Sequence, residues 1–153
     1  MRIYAKKLII SLALPLLVGF TAALLIRDGI AAYADLPQPP LSPPPALFPV
    51  VWTLLYLLMG VASYLVWTQS EPSRQALAIY LVQLAFNFVW PLLFFNAQAY
   101  GAAFYWLIAF WTLALTATIL FFRTSRAAGV LMLPYMLWLT FAAVLNYQVV
   151  RLQ

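Results

Sequence analysis

Five long stretches of this chain are apolar almost without interruption: Leu8–Ile26, Leu47–Thr68, Ala76–Asn96, Ala102–Phe122 and Gly129–Val150. Each runs about 19 to 22 residues, which as helix covers about 30 Å, the thickness of a bilayer's hydrocarbon core. None contains Asp, Glu, Lys, Arg or His. In lipid every backbone N–H and C=O must be paired within the protein, and a long apolar segment achieves this as a helix. A membrane barrel would alternate apolar and polar residues over about ten positions, and these runs do not. The predicted fold class is all-α integral membrane, a five-transmembrane-helix bundle forming one domain over residues 1–153.

The polar positions lie between the runs. "QSEPSRQ" (69–75), "AQAYG" (97–101) and "RTSRAA" (123–128) are short linkers. The first linker, Arg27 to Ala46, is longer and leads into "LPQPPLSPPPALFP" (36–49). Asp28 and Gly29 predict an αL cap and a turn at the end of the first span. Consecutive prolines fix φ and favour a stiff extended path. Pro49 falls in the first turn of the second span, where proline is tolerated. Pro15, Pro91 and Pro134 lie inside spans and predict kinks. No internal repeat is evident, and an odd number of spans disfavours an inverted-repeat transporter.

Composition sharpens this picture. Of 153 residues, 67% are hydrophobic and only 7% charged, against about 25% charged in soluble domains. The net charge of +5 would suggest nucleic acid if it were clustered on one face. Instead the charges sit in the gaps, which marks membrane topology and argues against a nucleic-acid partner. With the N-terminus inside, one side receives Arg2, Lys6, Lys7, Arg74, Arg123 and Arg126, and the other only Arg27 and Arg151. The expected orientation is N-terminus in and C-terminus out, with the Pro-rich loop outside. A competing reading is a secretory leader ending at "AYA" (32–34). The apolar run exceeds the usual 7–15 residues, and Arg27 and Asp28 interrupt the approach, so a retained span is the better reading.

The candidate chemistry is sparse. There is no Cys and no His, so disulfides, Cys/His metal sites and axial haem ligation by those residues are excluded. Spans without ionisable groups weaken a pump or ion-coupled transporter, while a passive carrier stays open. Gln83 and Asn87 share a helical face with Trp90 and Phe94. Asn146 and Gln148 lie in span five. Buried amides of this kind usually pair across helices, and facing a ligand is the alternative role for Asn87 and Asn146. Trp52, Tyr56, Ser63 and Trp67 form a stripe on span two, which reads as packing, belt or binding surface. On span five, Trp138 beside Ala142 with Leu145 one turn on leaves room for a planar guest or a neighbouring helix. Gly19 with Ala23, and Ala99 with Ala103, are spaced for close helix approach and make a homodimer plausible.

Three stretches together resemble one family, the translocator or tryptophan-rich sensory proteins. They are "YADLPQPPLSPPPALFPVVWTLLYLLMG" (33–60), "QLAFNFVWPLLFF" (83–95) and "LPYMLWLTFAAVLNYQVVRL" (133–152). The first is similar to the family's tyrosine, K-P-x-W-x-P-P loop and V-W-T-x-L-Y-x-x-M-G. The second is similar to Q-L-x-x-N-x-x-W-x-x-x-F-F, and the third to P-Y-x-x-W-x-x-F-A-x-x-L-N. The match is in register over nearly the whole chain. It departs at Gln38, Leu41 and Ala32, which stand where the family has a loop lysine, a loop tryptophan and often a further tryptophan. These changes remove a cation and two large rings from the lid.

The resemblance implies a five-helix bundle, usually dimeric and here expected in a bacterial cell membrane, with a pocket beneath the first loop. Members of the family bind tetrapyrroles such as protoporphyrin and haem, and animal members also bind cholesterol. No cofactor is expected to be required; porphyrin or haem enters as ligand. Matched residue by residue, Ala23, Ile26, Tyr33 and Pro43 would line the pocket from span one and the loop. Phe48, Trp52 and Tyr56 would join from span two, and Asn87 and Trp90 from span three. Span five would supply Trp138, Ala142 and Leu145. The family's sterol pattern is met by Leu145, Tyr147 and Arg151, a weak signal. The expected function is a membrane receptor or carrier for a planar hydrophobic ligand, a tetrapyrrole first. The alternatives are a light-dependent porphyrin-degrading enzyme and a sterol- or lipid-binding stress regulator. No acid/base pair or activated nucleophile supports an enzyme.

Overall fold

The computed structural model describes residues 3–153; Arg2, counted above for orientation, lies outside them. The described residues form helices joined by short linkers, without strands. The helices are α1 (Ala5–Leu25), α2 (Arg27–Ala34), α3 (Leu47–Trp67), α4 (Arg74–Pro91), α5 (Tyr100–Thr124) and α6 (Arg126–Leu152). A π-helical segment, Leu92–Asn96, continues α4. Five of the helices, all but α2, are long and apolar enough to cross a membrane. Their outer surface is apolar as well: Leu137 is 74% exposed and Ile9 66% exposed. In water that surface would be a liability, whereas lipid solvates it.

The helices pack as a ring. α1 lies on α3, α3 on α6, α6 on α5 and α5 on α4, with α4 closing weakly back onto α1. Along the α1–α4 seam a lipid-facing groove is lined by Leu14, Leu17 and Val18 on one side and Leu81, Leu84 and Phe88 on the other. Two serines start helices by capping: Ser73 Oγ accepts from Ala76 N at 3.1 Å, and Ser125 Oγ from Ala128 N at 3.3 Å. Ser125 alone separates α5 from α6, so the linker expected over 123–128 is almost entirely helical. Charges at the ends of α1, α4, α5 and α6 let those helices run past their apolar runs toward the headgroups.

Two expectations about the first linker need correction. Residues 27–34, expected as the start of the loop, form a helix, α2, and no glycine has positive φ. The expected αL cap is absent because hydrogen bonding continues through the bend: Ile26 N donates to Ala22 O and Ile30 N to Ile26 O. The chain turns at Ile26, with ψ near 7°, while Gly29 serves a different purpose. A Cβ there would lie 2.6 Å from the Phe95 carbonyl oxygen, so glycine lets α2 press onto the π-helical segment.

Small residues work inside the chain. A Cβ on Gly19 would overlap the Tyr56 ring, and one on Gly60 would come within 2.8 Å of Ser11 O. These glycines bring α1 and α3 together, and Ala103 is fully buried. Gly19 and Ala103 therefore serve contacts within one chain, where the sequence had suggested a second copy. Pro91 has the effect its chemistry predicts. It ends the regular i→i−4 ladder: Leu92 N donates to Val89 O, and the π-helical segment that follows closes with a wider bond, from Ala97 N to Leu92 O. Such a bulge re-aims the side chains that follow it.

A candidate aromatic pocket beneath the first loop

The re-aimed side chains are Phe94 and Phe95. They meet Tyr33 of α2 edge-on, with ring centroids 5.2 and 5.5 Å apart. The loop segment is thereby fastened to the end of α4. Asn96 adds a hydrogen bond from Nδ2 to Leu25 O at 2.9 Å, capping the end of α1. Gln38 donates Nε2–H to both Tyr33 O and Leu36 O, at 2.9 and 3.1 Å, folding the Pro-rich strap back over α2. Partial burial pushes the Tyr33 hydroxyl above the usual tyrosine range, opposed by the neighbouring Ser42 hydroxyl.

Beneath this lid lies a cavity of about 70 Å³. Its walls are Tyr33 from α2, Phe48 and Trp52 from α3, and Trp90, Phe94 and Phe95 from the end of α4. Trp138, Phe141, Ala142, Leu145 and Asn146 of α6 complete it. Trp52 and Trp138 meet at right angles, 6.4 Å apart, and Phe48 packs against Trp138 at 6.0 Å. Trp90 Nε1 donates to Asn146 Oδ1 at 3.1 Å, and Asn146 Nδ2 donates to Tyr100 O at 3.0 Å. The wall's amide is therefore already engaged on both atoms. Among the described residues no group of acidic side chains is assembled to hold a metal.

Seven of the twelve residues matched from the resemblance line this cavity: Tyr33, Phe48, Trp52, Trp90, Trp138, Ala142 and Leu145. The other five do not. Ala23 is exposed, Ile26 is buried at the bend and Pro43 stays in the strap. Tyr56 and Asn87 lie one helical turn deeper, in a buried polar chain. Tyr56 OH donates to Asn87 Oδ1 at 2.8 Å, Asn87 Nδ2 to Tyr135 OH at 2.9 Å, and Tyr135 OH to Gln83 Oε1 at 2.6 Å. This chain ties α3, α4 and α6 together beneath the cavity floor, so Asn87 presents no free amide to a guest. Phe94, Phe95, Phe141 and Asn146 are wall residues missing from the matched set. Phe94 was legible on the Asn87–Trp90 face, but Phe95 enters only through the π-helical shift.

The sterol pattern does not converge either. Leu145 faces the cavity, whereas Tyr147 is exposed and packs against Phe104 of α5. Arg151 lies over the Tyr147 ring, 5.9 Å from its centroid. Residues two apart on a helix point in widely different directions, and the spacing in the pattern conceals this.

Comparison with known proteins agrees with the architecture. The model of the TspO/MBR family matches residues 11–152. The tryptophan-rich sensory protein of Cereibacter sphaeroides is 40% identical over 132 residues, covering 86% of this chain and 82% of the relative. The translocator protein of Ovis aries is 38% identical over 135 residues, covering 85% and 80%. The tryptophan-rich protein TspO of Archaeoglobus fulgidus is 34% identical over 146 residues, covering 94% of each chain. With five apolar helices ringed around an aromatic cavity, and a family match running through all of them, this chain belongs to the TspO/MBR family.

Proposed function

We propose that this protein is a membrane receptor or carrier that takes a planar hydrophobic ligand, a tetrapyrrole of the protoporphyrin or haem type, between the lid and the bundle. The observation that carries this reading is the wall of rings around one cavity, with Trp52 and Trp138 set edge to face. Flat ligands gain most from such surfaces, by stacking and by burial of apolar area. The space at hand, about 70 Å³, is well below the roughly 300–1,000 Å³ of ligand pockets. Binding therefore requires the lid to lift and the rings to part, with the bend at Ile26 as the pivot. The stiff strap loses little entropy on closing again. The outward orientation of the lid follows from the same reading, because the basic helix ends gather at the opposite side.

The test is a titration of protoporphyrin IX into detergent-purified protein, followed by tryptophan fluorescence. Saturable quenching is expected, weakened about tenfold or more by Trp138→Ala or Trp52→Ala. Unchanged affinity in both variants would refute stacking as the basis of binding. Illumination of the bound complex addresses the enzyme alternative: bleaching no faster than that of porphyrin in empty micelles would dismiss it.

A further inference from the structure

We propose that the lid end of the cavity grips the carboxylates of a tetrapyrrole diacid through two neutral groups, Gln148 and Tyr100, so that the acid edge of the ring points toward the lid. This rests on the tetrapyrrole reading and adds an orientation to it. Tyr100 OH and Gln148 Oε1 are buried, and neither has a hydrogen-bond partner in the protein. Folded proteins pair nearly all such groups, because a buried polar group left unpaired is destabilising. An orphan kept at the rim of a cavity marks a place for the polar atoms of a guest.

Both groups are placed by the elements around the cavity. Gln148 lies seven residues beyond Phe141 on α6, so the two share a helical face, and Phe141 is a wall residue. The next residues, Val149 and Val150, pack in one cluster with Tyr33 and Leu36 of the lid. Gln148 thus extends the Phe141 wall toward the lid. Tyr100 opens α5 on the other flank. Its ring meets Phe94 edge-on, with centroids 4.9 Å apart, and its hydroxyl is an electrostatic neighbour of the Tyr33 hydroxyl. Asn146 Nδ2 donates to Tyr100 O at 3.0 Å and fixes this start of α5 against α6. Asn146 and Gln148 are two apart on their helix and point in widely different directions. The two orphans therefore flank the Trp138–Leu145 stripe.

The chemistry suits an acid group. Tyr100 OH donates directly. Gln148 donates through Nε2 once its amide turns about the last torsion, which has two broad wells. Hydrogen bonds to a carboxylate are about twice as strong as those between neutral groups. None of the wall residues is charged, so an acid placed deeper would be buried unpaired. At the lid end it stays beside headgroup water, which completes its solvation, while the apolar edge of the ring goes down between Trp52 and Trp138.

The experiment compares protoporphyrin IX with its dimethyl ester by tryptophan quenching, each corrected for partition into empty micelles, in the unmodified protein, Gln148→Met and Tyr100→Phe. The ester keeps the ring and loses the charge, so the ratio of the two affinities cancels general damage to the pocket. The unmodified protein is expected to bind the diacid about tenfold or more tightly than the ester, and each substitution to reduce that preference about threefold or more. Neither substitution is expected to lower the unfolding midpoint in mixed micelles, because each removes a polar group that has no partner in the empty protein. A lower midpoint would mean that the group is already bonded within the bundle and overturns its assignment to the guest. Equal or tighter binding of the ester by the unmodified protein overturns the inference and leaves the tetrapyrrole reading in place. So does an unchanged preference in either variant. Absence of saturable quenching by either porphyrin overturns the tetrapyrrole reading itself, and the inference falls with it.

Discussion

Replacing Asn87 with leucine separates two roles that the sequence could not. Asn87 accepts from Tyr56 at 2.8 Å and donates to Tyr135 at 2.9 Å, and it is 3% exposed. Leucine has nearly the same volume but leaves the Tyr56 hydroxyl without an acceptor, and removes one of the partners of Tyr135. Interhelical hydrogen bonds in membranes contribute about 0.6 kcal/mol on average and up to about 2. A buried donor left unpaired adds about 1–3 kcal/mol. Asn87→Leu is therefore expected to destabilise the bundle by about 1–4 kcal/mol. Tyr56→Phe deletes only the first bond and should cost less than half as much. A double-mutant cycle between Asn87 and Tyr56 should give a coupling energy of at least about 0.5 kcal/mol. The assay is reversible unfolding in mixed micelles, with porphyrin affinity measured on the folded fraction. If Asn87 is a bundle tie, stability falls while affinity changes less than about threefold. Full stability with affinity reduced tenfold or more would refute this reasoning and return Asn87 to the ligand.

Other outcomes follow from the same contacts. Gly60→Ala places a Cβ 2.8 Å from Ser11 O, against a backbone that cannot step aside, and should cost about 1–3 kcal/mol in the same unfolding assay. Tyr33→Ala removes two edge-on ring contacts, each contributing about 0.5–1.5 kcal/mol. Stopped-flow quenching should then show faster porphyrin association and faster release, and unchanged rates would mean that α2 is not the lid. The chain has no cysteine, so exposed Ser70 and Leu41 can each be replaced by cysteine in turn. In intact bacterial cells Leu41→Cys is expected to react with an impermeant maleimide and Ser70→Cys only after permeabilisation; the reverse pattern would invert the orientation. Raising pH above about 10, the ordinary tyrosine pKa, should weaken lid packing through Tyr33. Its hydroxyl is held above that value when folded, so the folded lid retains a proton that the open chain gives up. Tyr33→Phe should abolish that part of the pH dependence in porphyrin release rates.

Much of this protein was legible as sequence. The five spans, their helical nature and the absence of charge within them follow from one requirement, that backbone polar groups in lipid be satisfied locally. That requirement acts on each segment alone, so no knowledge of neighbours is needed. The Trp52, Trp90 and Trp138 walls were also readable, because their motifs carry them in register. Tertiary structure decided what depends on two segments at once. Whether Gly19 faces a second copy or Tyr56, and whether Asn87 faces a guest or two tyrosines, is set by which helix becomes the neighbour. The ring order α1, α3, α6, α5, α4 is not written in any single span. Phe94 was already legible on the Asn87–Trp90 face, but the π-helical segment after Pro91 also brings Phe95 against Tyr33, a change of phase that no regular 3.6-residue period anticipates. The sterol pattern shows the same limit in reverse. It treats Leu145 and Tyr147 as one surface, whereas the helix points one into the cavity and the other to the outer face beside Phe104.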